Sequence, residues 1–274
     1  MKIGLTLPSF TEDPEIPIRV ARAAEAAGVD GVFVYDHLFR LAPDGEMRPA
    51  LECLALLGAL AVETKAITLG TLVVRASLRP PATLAAALNT VVRIAGPRLV
   101  VGIGAGDEAS RPEMETFGLP MGTEADRIER LRAAVRELAP GPYPTWVGGR
   151  ARHVGAVAAE DANGWNRWGA DVDRFTREVA EVRALVDQRN PDAANFTMSW
   201  GGLIVVAADD DAADAKAERL GAGSSTIVGG PQTIADAAMR YRDAGAEWVI
   251  LGPLDSSDPT NAQLIGEAVR PRLH

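Results

Sequence analysis

Two short polar runs in this chain have the composition of a proton-handling site. They are Tyr35-Asp36-His37, and Asp107-Glu108 directly after Gly102-Ile103-Gly104-Ala105-Gly106. Histidine is the side chain whose ordinary titration falls near neutrality, so His37 is a candidate to give or take a proton during a reaction. The plain alternative is a histidine bonded within its own loop. Its place after an apolar run, beside Asp36, weighs toward chemistry. Asp107 and Glu108 have the composition of solvated loop carboxylates, and either one close to His37 could act as a proton relay.

The glycine run lets backbone approach a flat ring or a phosphate, or it relieves crowding where strands meet. It is not the dinucleotide fingerprint, because the third glycine stands at the wrong spacing and no helix opens at once. Gly148-Gly149-Arg150 precedes a helical pattern. Backbone N–H groups and the positive dipole end of a helix make an anion site there, to which Arg150, Arg152 and His153 add charge. Arg75 and Arg79 are further phosphate candidates, with surface arginine as the alternative. Trp165, Trp168 and Trp200 have the size to wall a pocket for an aromatic ring, or to fill a core. The three histidines, His37, His153 and His274, and the single Cys53 give no zinc spacing and no intramolecular disulfide. No metal site is expected, and Cys53, inside an apolar run, reads as a buried small hydrophobe.

These groups need a frame that brings them together. Short β-rich runs at 2–7, 31–35, 66–73, 98–103, 145–147, 164–166, 197–207 and 248–251 alternate with amphipathic runs. The helical patterns fall near 14–27, 49–63, 80–95, 124–138, 150–160, 171–188, 209–220, 231–244 and 258–270. Strand followed by helix throughout, eight strands in all, is the order of a parallel (β/α)8 barrel, whose chemistry sits just past the strand C-termini. His37, Arg75, the glycine run, Gly148 to Arg150 and Asn166-Arg167-Trp168 all follow predicted strands, so one rim would collect them.

Helix ends are marked too. Ala27-Gly28-Val29-Asp30 and Ala244-Gly245-Ala246-Glu247 repeat one joint, with Gly28 and Gly245 suited to the left-handed residue that ends a helix. Pro81 and Pro231 stand at first helical positions. The stretch 105–122 is the longest loop candidate and could cover a substrate.

With 274 residues, 47% of them hydrophobic, the chain can bury a large core as one domain, 1–274. A formal charge of −9 argues against binding nucleic acid, which needs a basic face. Met1-Lys2-Ile3 runs straight into a strand pattern, without a signal peptide or a bilayer-length apolar stretch, so a cytoplasmic protein with no membrane contact is expected.

The stretches 24–38, 67–73, 98–106, 144–149, 161–166 and 228–253 resemble the luciferase-like monooxygenase superfamily. They cover most of the chain in the family's order. The resemblance implies a (β/α)8 TIM barrel with a shortened insertion region at 105–145, and it implies an oxidoreductase acting on a small-molecule substrate. Members use the deazaflavin coenzyme F(420) as hydride carrier, or reduced FMN with oxygen, and are frequently dimers. Asp36-His37 and the glycine run are most similar to the F(420)-dependent branch. By that likeness His37 lies near the reacting carbon, and Asp107 or Glu108 is the candidate to share its proton transfer. Leu72-Val73 would form a non-proline cis peptide backing the ring. Asp36, Gly104 and Gly106 would join the cofactor site, and Gly148, Gly149 and Arg150 would receive the cofactor phosphate. Some F(420)-dependent sugar-phosphate dehydrogenases carry a catalytic Glu directly after the glycine run, where this chain has Asp107. A sugar-phosphate or folate-like substrate is therefore not implied. An FMN monooxygenase on the same barrel, and a barrel that carries a cofactor without turning it over, are the alternative readings.

Overall fold

Runs that are apolar at nearly every position become the staves of a barrel. A computed structural model describes residues 1–41, 45–190 and 195–273. His274 lies outside the described residues. Strands β1 (Lys2–Thr6), β2 (Gly31–Val34), β5 (Thr68–Arg75), β6 (Leu99–Gly104), β7 (Thr145–Gly148), β8 (Gly164–Trp168), β9 (Thr197–Val206) and β11 (Trp248–Pro253) pair in parallel. The cylinder closes where β11 meets β1 at Lys2↔Trp248 and where β8 meets β9 at Gly164↔Thr197. Parallel strands covered on both faces read as continuous hydrophobic runs. This is why β6 and β11 are buried along their whole length.

The interior of the cylinder is filled by a few large rings set opposite glycines. Phe33, Trp146 and Trp248 pack together with Leu72, Val100 and Ile250. A Cβ on Gly70 would stand 2.5 Å from the Phe33 ring, and one on Gly164 would stand 2.5 Å from Trp146. Strand glycines are holes shaped for aromatic knobs, as in any packed barrel core.

Outside the cylinder lie α1 (Glu15–Ala26), α2 (Cys53–Glu63), α3 (Pro81–Ala95), α5 (Glu124–Leu138), α6 (Ala151–Asp161), α7 (Val172–Arg189), α8 (Asp210–Leu220) and α9 (Pro231–Asp243). Trp165 stacks on Phe175 and Trp200 on Tyr241, so these two tryptophans belong to the helix–strand layer. Of the three tryptophans proposed as pocket walls, only Trp168 lines the cavity at the rim. Cys53 is buried, as its sequence neighbourhood suggests.

The repeated joint is real. After α1, Gly28 donates to Glu25 O and Val29 to Ala24 O; after α9, Gly245 donates to Arg242 O and Ala246 to Tyr241 O. Both glycines have positive φ, 81° and 105°, the geometry of a Schellman ending. Helix starts are equally local. Thr123 and Asp126 form a capping box on α5, and Asp171 and Asp209 cap α7 and α8.

Three elements were not foreseen. A hairpin of β3 (Phe39–Leu41) and β4 (Met47–Pro49) follows β2. A six-residue helix, α4 (Arg111–Thr116), interrupts the loop at 105–122. A short strand, β10 (Ile227–Gly229), pairs with the far end of β9 and separates α8 from α9. That explains nine helical patterns against eight staves. After β11 come α10 (Pro259–Gln263), a wide helical turn over Leu264–Val269 and a tight one over Arg270–Arg272. Among the described residues, no helix is long and apolar enough to cross a membrane.

Candidate active site

A cavity of about 590 Å³ opens at the C-terminal ends of the strands. Leu72 and Val73 line it on the apolar side, with Gly104 to Glu108 on one flank and Gly148 to Arg150 on another. Asn166, Arg167 and Trp168 from the end of β8 complete the wall. A second cavity of about 350 Å³ holds His37, Phe10, Phe39 and Glu113, and Asp107 borders both. His37, Leu72, Val73, Gly104 to Glu108 and Gly148 to Arg150 therefore meet at one rim, in two adjoining chambers.

Val73 explains much of the glycine run. The Leu72–Val73 peptide is cis, and the pairing of β5 with β6 slips between Thr71 and Val74. This bulge turns Val73 across its neighbours. A Cβ on Gly104 or on Gly148 would stand 2.6 Å from a Val73 methyl, and one on Gly102 would stand 2.3 Å from Thr71 O. Those glycines make room for the bulge, so the crowding explanation holds at these positions. Gly106 is different: its φ of 74° makes it a turn residue leading away from β6.

His37 is half-exposed, and its Nδ1 lies 3.2 Å from Glu113 Oε2. Glu113 is buried. Its other oxygen, Oε1, faces Arg75 Nη2 at 2.6 Å and accepts from the backbone N–H of Leu38. Burial acts to raise this carboxyl, but the His37 and Arg75 contacts and the Leu38 N–H overcome it and hold Glu113 down at about 2.

Asp36 does not line either cavity. Its carboxylate pairs with Arg79 through two bonds of 2.7 and 3.0 Å and accepts from Arg75 N–H at 2.9 Å. Arg79 also meets Glu52, and Arg75 Nε donates to Asp36 O. Carboxylates thus occupy both arginines offered above as phosphate ligands. They brace the loop that carries His37.

Asp107 is exposed and accepts a 3.3 Å bond from Ser110 Oγ. Glu108 is bonded by Arg111 and by the buried Arg127, which bring its carboxyl below its ordinary value. Of the two carboxylates, Asp107 is the one placed between the chambers.

At the start of α6 the expected anion site has an internal occupant. The Ala151 N–H donates to Glu178 Oε2 at 3.2 Å, and that carboxylate also pairs with Arg167 at 2.8 Å and Arg174 at 3.0 Å. Gly149 and the exposed Arg150 still line the cavity. His153 pairs with Glu124, and Arg152 donates to His153 Nε2.

The sequence model of the luciferase-like monooxygenases matches residues 1–226. The chain belongs to that family. An uncharacterised protein of Mycobacterium tuberculosis is 27% identical over 208 residues, 62% of this chain and 71% of that protein. An F(420)-dependent glucose-6-phosphate dehydrogenase of Beutenbergia cavernae is 34% identical over 146 residues, 53% of this chain and 41% of that enzyme. Among solved structures, an F(420)-dependent secondary alcohol dehydrogenase superposes with a TM-score of 0.83 at 16% identity, covering 100% of this chain and 99% of that one. A long-chain alkane monooxygenase does so with a TM-score of 0.78 at 15% identity, covering 100% and 91%. At such identities the structures share the fold.

Two residues of this luciferase-like barrel escaped sequence reading. Glu113 follows Arg111-Pro112, and an acid there looks like an ordinary first-turn residue favoured by the helix dipole. Arg127 looks like one more charge on an amphipathic helix, yet it is buried at the cavity wall. Glu113 has no local signal because its partners, His37 and Arg75, come from other strands, whereas Arg127 is turned inward to Glu108 and Gly122 O within its own β6–α5 connection.

Proposed function

We propose that this chain is an oxidoreductase that works with the deazaflavin coenzyme F(420) on a small organic substrate. The observation that carries the reading is the pairing of the two chambers. One has an apolar side at Leu72 and Val73 and cationic groups at Arg150 and Arg167. The other places a histidine beside the junction. The resemblance to an F(420)-dependent dehydrogenase over 146 residues supports it.

The residues fit such a group. A planar ring suits the Leu72–Val73 side, where Val73 fills the space above Gly104 and Gly148 and leaves no trough. A phosphate-bearing tail suits the α6 start with Gly149 and Arg150, although Glu178 already takes the Ala151 N–H there. When bound, the deazaflavin would supply the hydride chemistry of the reaction. The protein orients two flat reactants and excludes water, and His37 gives or takes the accompanying proton. Asp107, at the border of the chambers, is its candidate partner. Phe10, Phe39, Leu41 and Pro112 give the histidine chamber an apolar part beside His37, Arg40, Asp107, Ser110 and Glu113, a mixed lining that suits a small organic substrate carrying a polar group.

The description of the matched family favours a second reading, an FMN-dependent monooxygenase on the same barrel. Parallel titration with F(420) and FMN separates them. Binding of F(420) at least 100-fold tighter than FMN is expected. The reverse order defeats the proposal.

A further inference from the structure

We propose that Glu113 is a positioning residue: it holds His37 with the proton on Nδ1, so that Nε2 is the nitrogen offered to a substrate. The proposal rests on His37 being the proton-handling group of the site.

The geometry leaves the carboxylate little freedom. Oε1 is held by Arg75 at the end of β5 and by the Leu38 and Phe39 N–H groups at the start of the hairpin. Oε2 is left facing His37 Nδ1 at 3.2 Å. Glu113 and Arg75 are both about 95% buried, with side-chain exposure of 5% each, so water does not compete for the contact between them. A carboxylate held ionised can only accept, and therefore a neutral His37 facing it must carry its hydrogen on Nδ1. Arg40 and Asp107 line the same chamber as His37, and the Asp36–Arg79 pair lies behind its loop. Among the described residues, Glu113 rather than any of these stands within hydrogen-bond distance of Nδ1.

The arrangement also links two loops. Glu113 stands on α4, within the segment 105–122, whereas its acceptor contacts reach the β2–β3 connection. The histidine acquires its orientation only when α4 is docked against the hairpin. Carboxylates that orient metal-bound imidazoles change activity roughly 10–100-fold on removal, and a loss of that order is expected for Glu113.

The test reads the tautomer directly. The chain has three histidines, so 15N-histidine spectra of the whole protein can be assigned by comparison with His37→Gln. With the ring titrated to its neutral form, wild-type His37 is expected as the Nδ1–H form. Finding it as the Nε2–H form overturns the proposal, whatever any variant does. In Glu113→Gln the amide can donate to Nδ1. The Nε2–H form should then appear, with kcat down roughly 10–100-fold and the cofactor KM within threefold. Glu113→Asp should recover part of the loss. A folded Glu113→Gln protein that keeps the Nδ1–H form and full kcat also overturns it. The spectra need no cofactor, so a failure of the F(420) reading leaves this result standing, and the two can fail separately.

Discussion

Glu113 Oε2 stands 3.2 Å from His37 Nδ1, although 76 positions of chain separate the two residues. One residue comes from the loop after β2 and the other from a helical turn within the loop after β6. The barrel closes those two strand ends onto one rim, and a buried arginine, Arg75, lies against the carboxylate from the strand between them. This contact makes the loop at 105–122 part of the rim.

Replacing His37 by alanine removes the proton-handling group and leaves the main chamber intact. Turnover is expected to fall roughly 10²- to 10⁴-fold, with the cofactor dissociation constant changed less than about threefold. Steady-state kinetics beside a fluorescence titration measure both quantities. Unchanged turnover removes His37 from the chemistry.

Acid should weaken the fold through Glu113. Its carboxyl is held at about 2 in the folded chain, below the ordinary 4.5. Such a group contributes stability that is fully present above 4.5 and is lost as pH falls toward 2. The loss is on the order of 3 kcal/mol. Urea unfolding between pH 7 and 3 should show a steeper decline for wild type than for Glu113→Gln. Parallel declines would show that the carboxylate does not contribute.

Gly148→Ala should destabilise through Val73. The new Cβ would meet a Val73 methyl at 2.6 Å, and overpacking of this kind costs about 1–3 kcal/mol. Val73→Ala in the same chain should return much of that loss, giving a favourable coupling in a double-mutant cycle of unfolding free energies. Additive losses would mean that the crowding lies elsewhere.

Arg79→Met leaves the Asp36 carboxylate buried without its main partner. A cost of about 3–5 kcal/mol is expected. Asp36→Asn combined with Arg79→Met should be milder than Arg79→Met alone, because no bare charge remains. Thermal unfolding of the three proteins ranks them.

Arg150→Ala should weaken cofactor binding about tenfold, equivalent to about 1.4 kcal/mol. It should also flatten the dependence of affinity on salt, since a charge contact to an anion is screened. Equal slopes in wild type and variant would take Arg150 out of the cofactor site.

Much of the frame was legible because its causes are local. The Gly28 and Gly245 endings, the Pro81 and Pro231 starts and the unbroken apolar staves each act within a few residues, and all stand where the pattern puts them. The hairpin at 39–49 was not legible. Its strands have three residues each and are mostly exposed, and they carry no alternation to betray them. The glycine run was visible as a motif, but its meaning was not: the same glycines serve a ligand or a bulge, and only the position of Val73 distinguishes the two. Asp36 and Arg79 show the same limit, since a charged residue after a strand looks alike whether it faces a ligand or another charge.

By itself, then, the order of apolar staves, caps and breakers determined a closed parallel barrel and the rim on which its polar residues gather. Hydrophobic periodicity and turn chemistry are short-range, and each segment carries its own. The partner of each charge was decided only in three dimensions. Glu113 against His37, Arg79 against Asp36 and Glu178 at the start of α6 are pairings between distant segments, and they exist because closing the cylinder brings those side chains within a few ångströms.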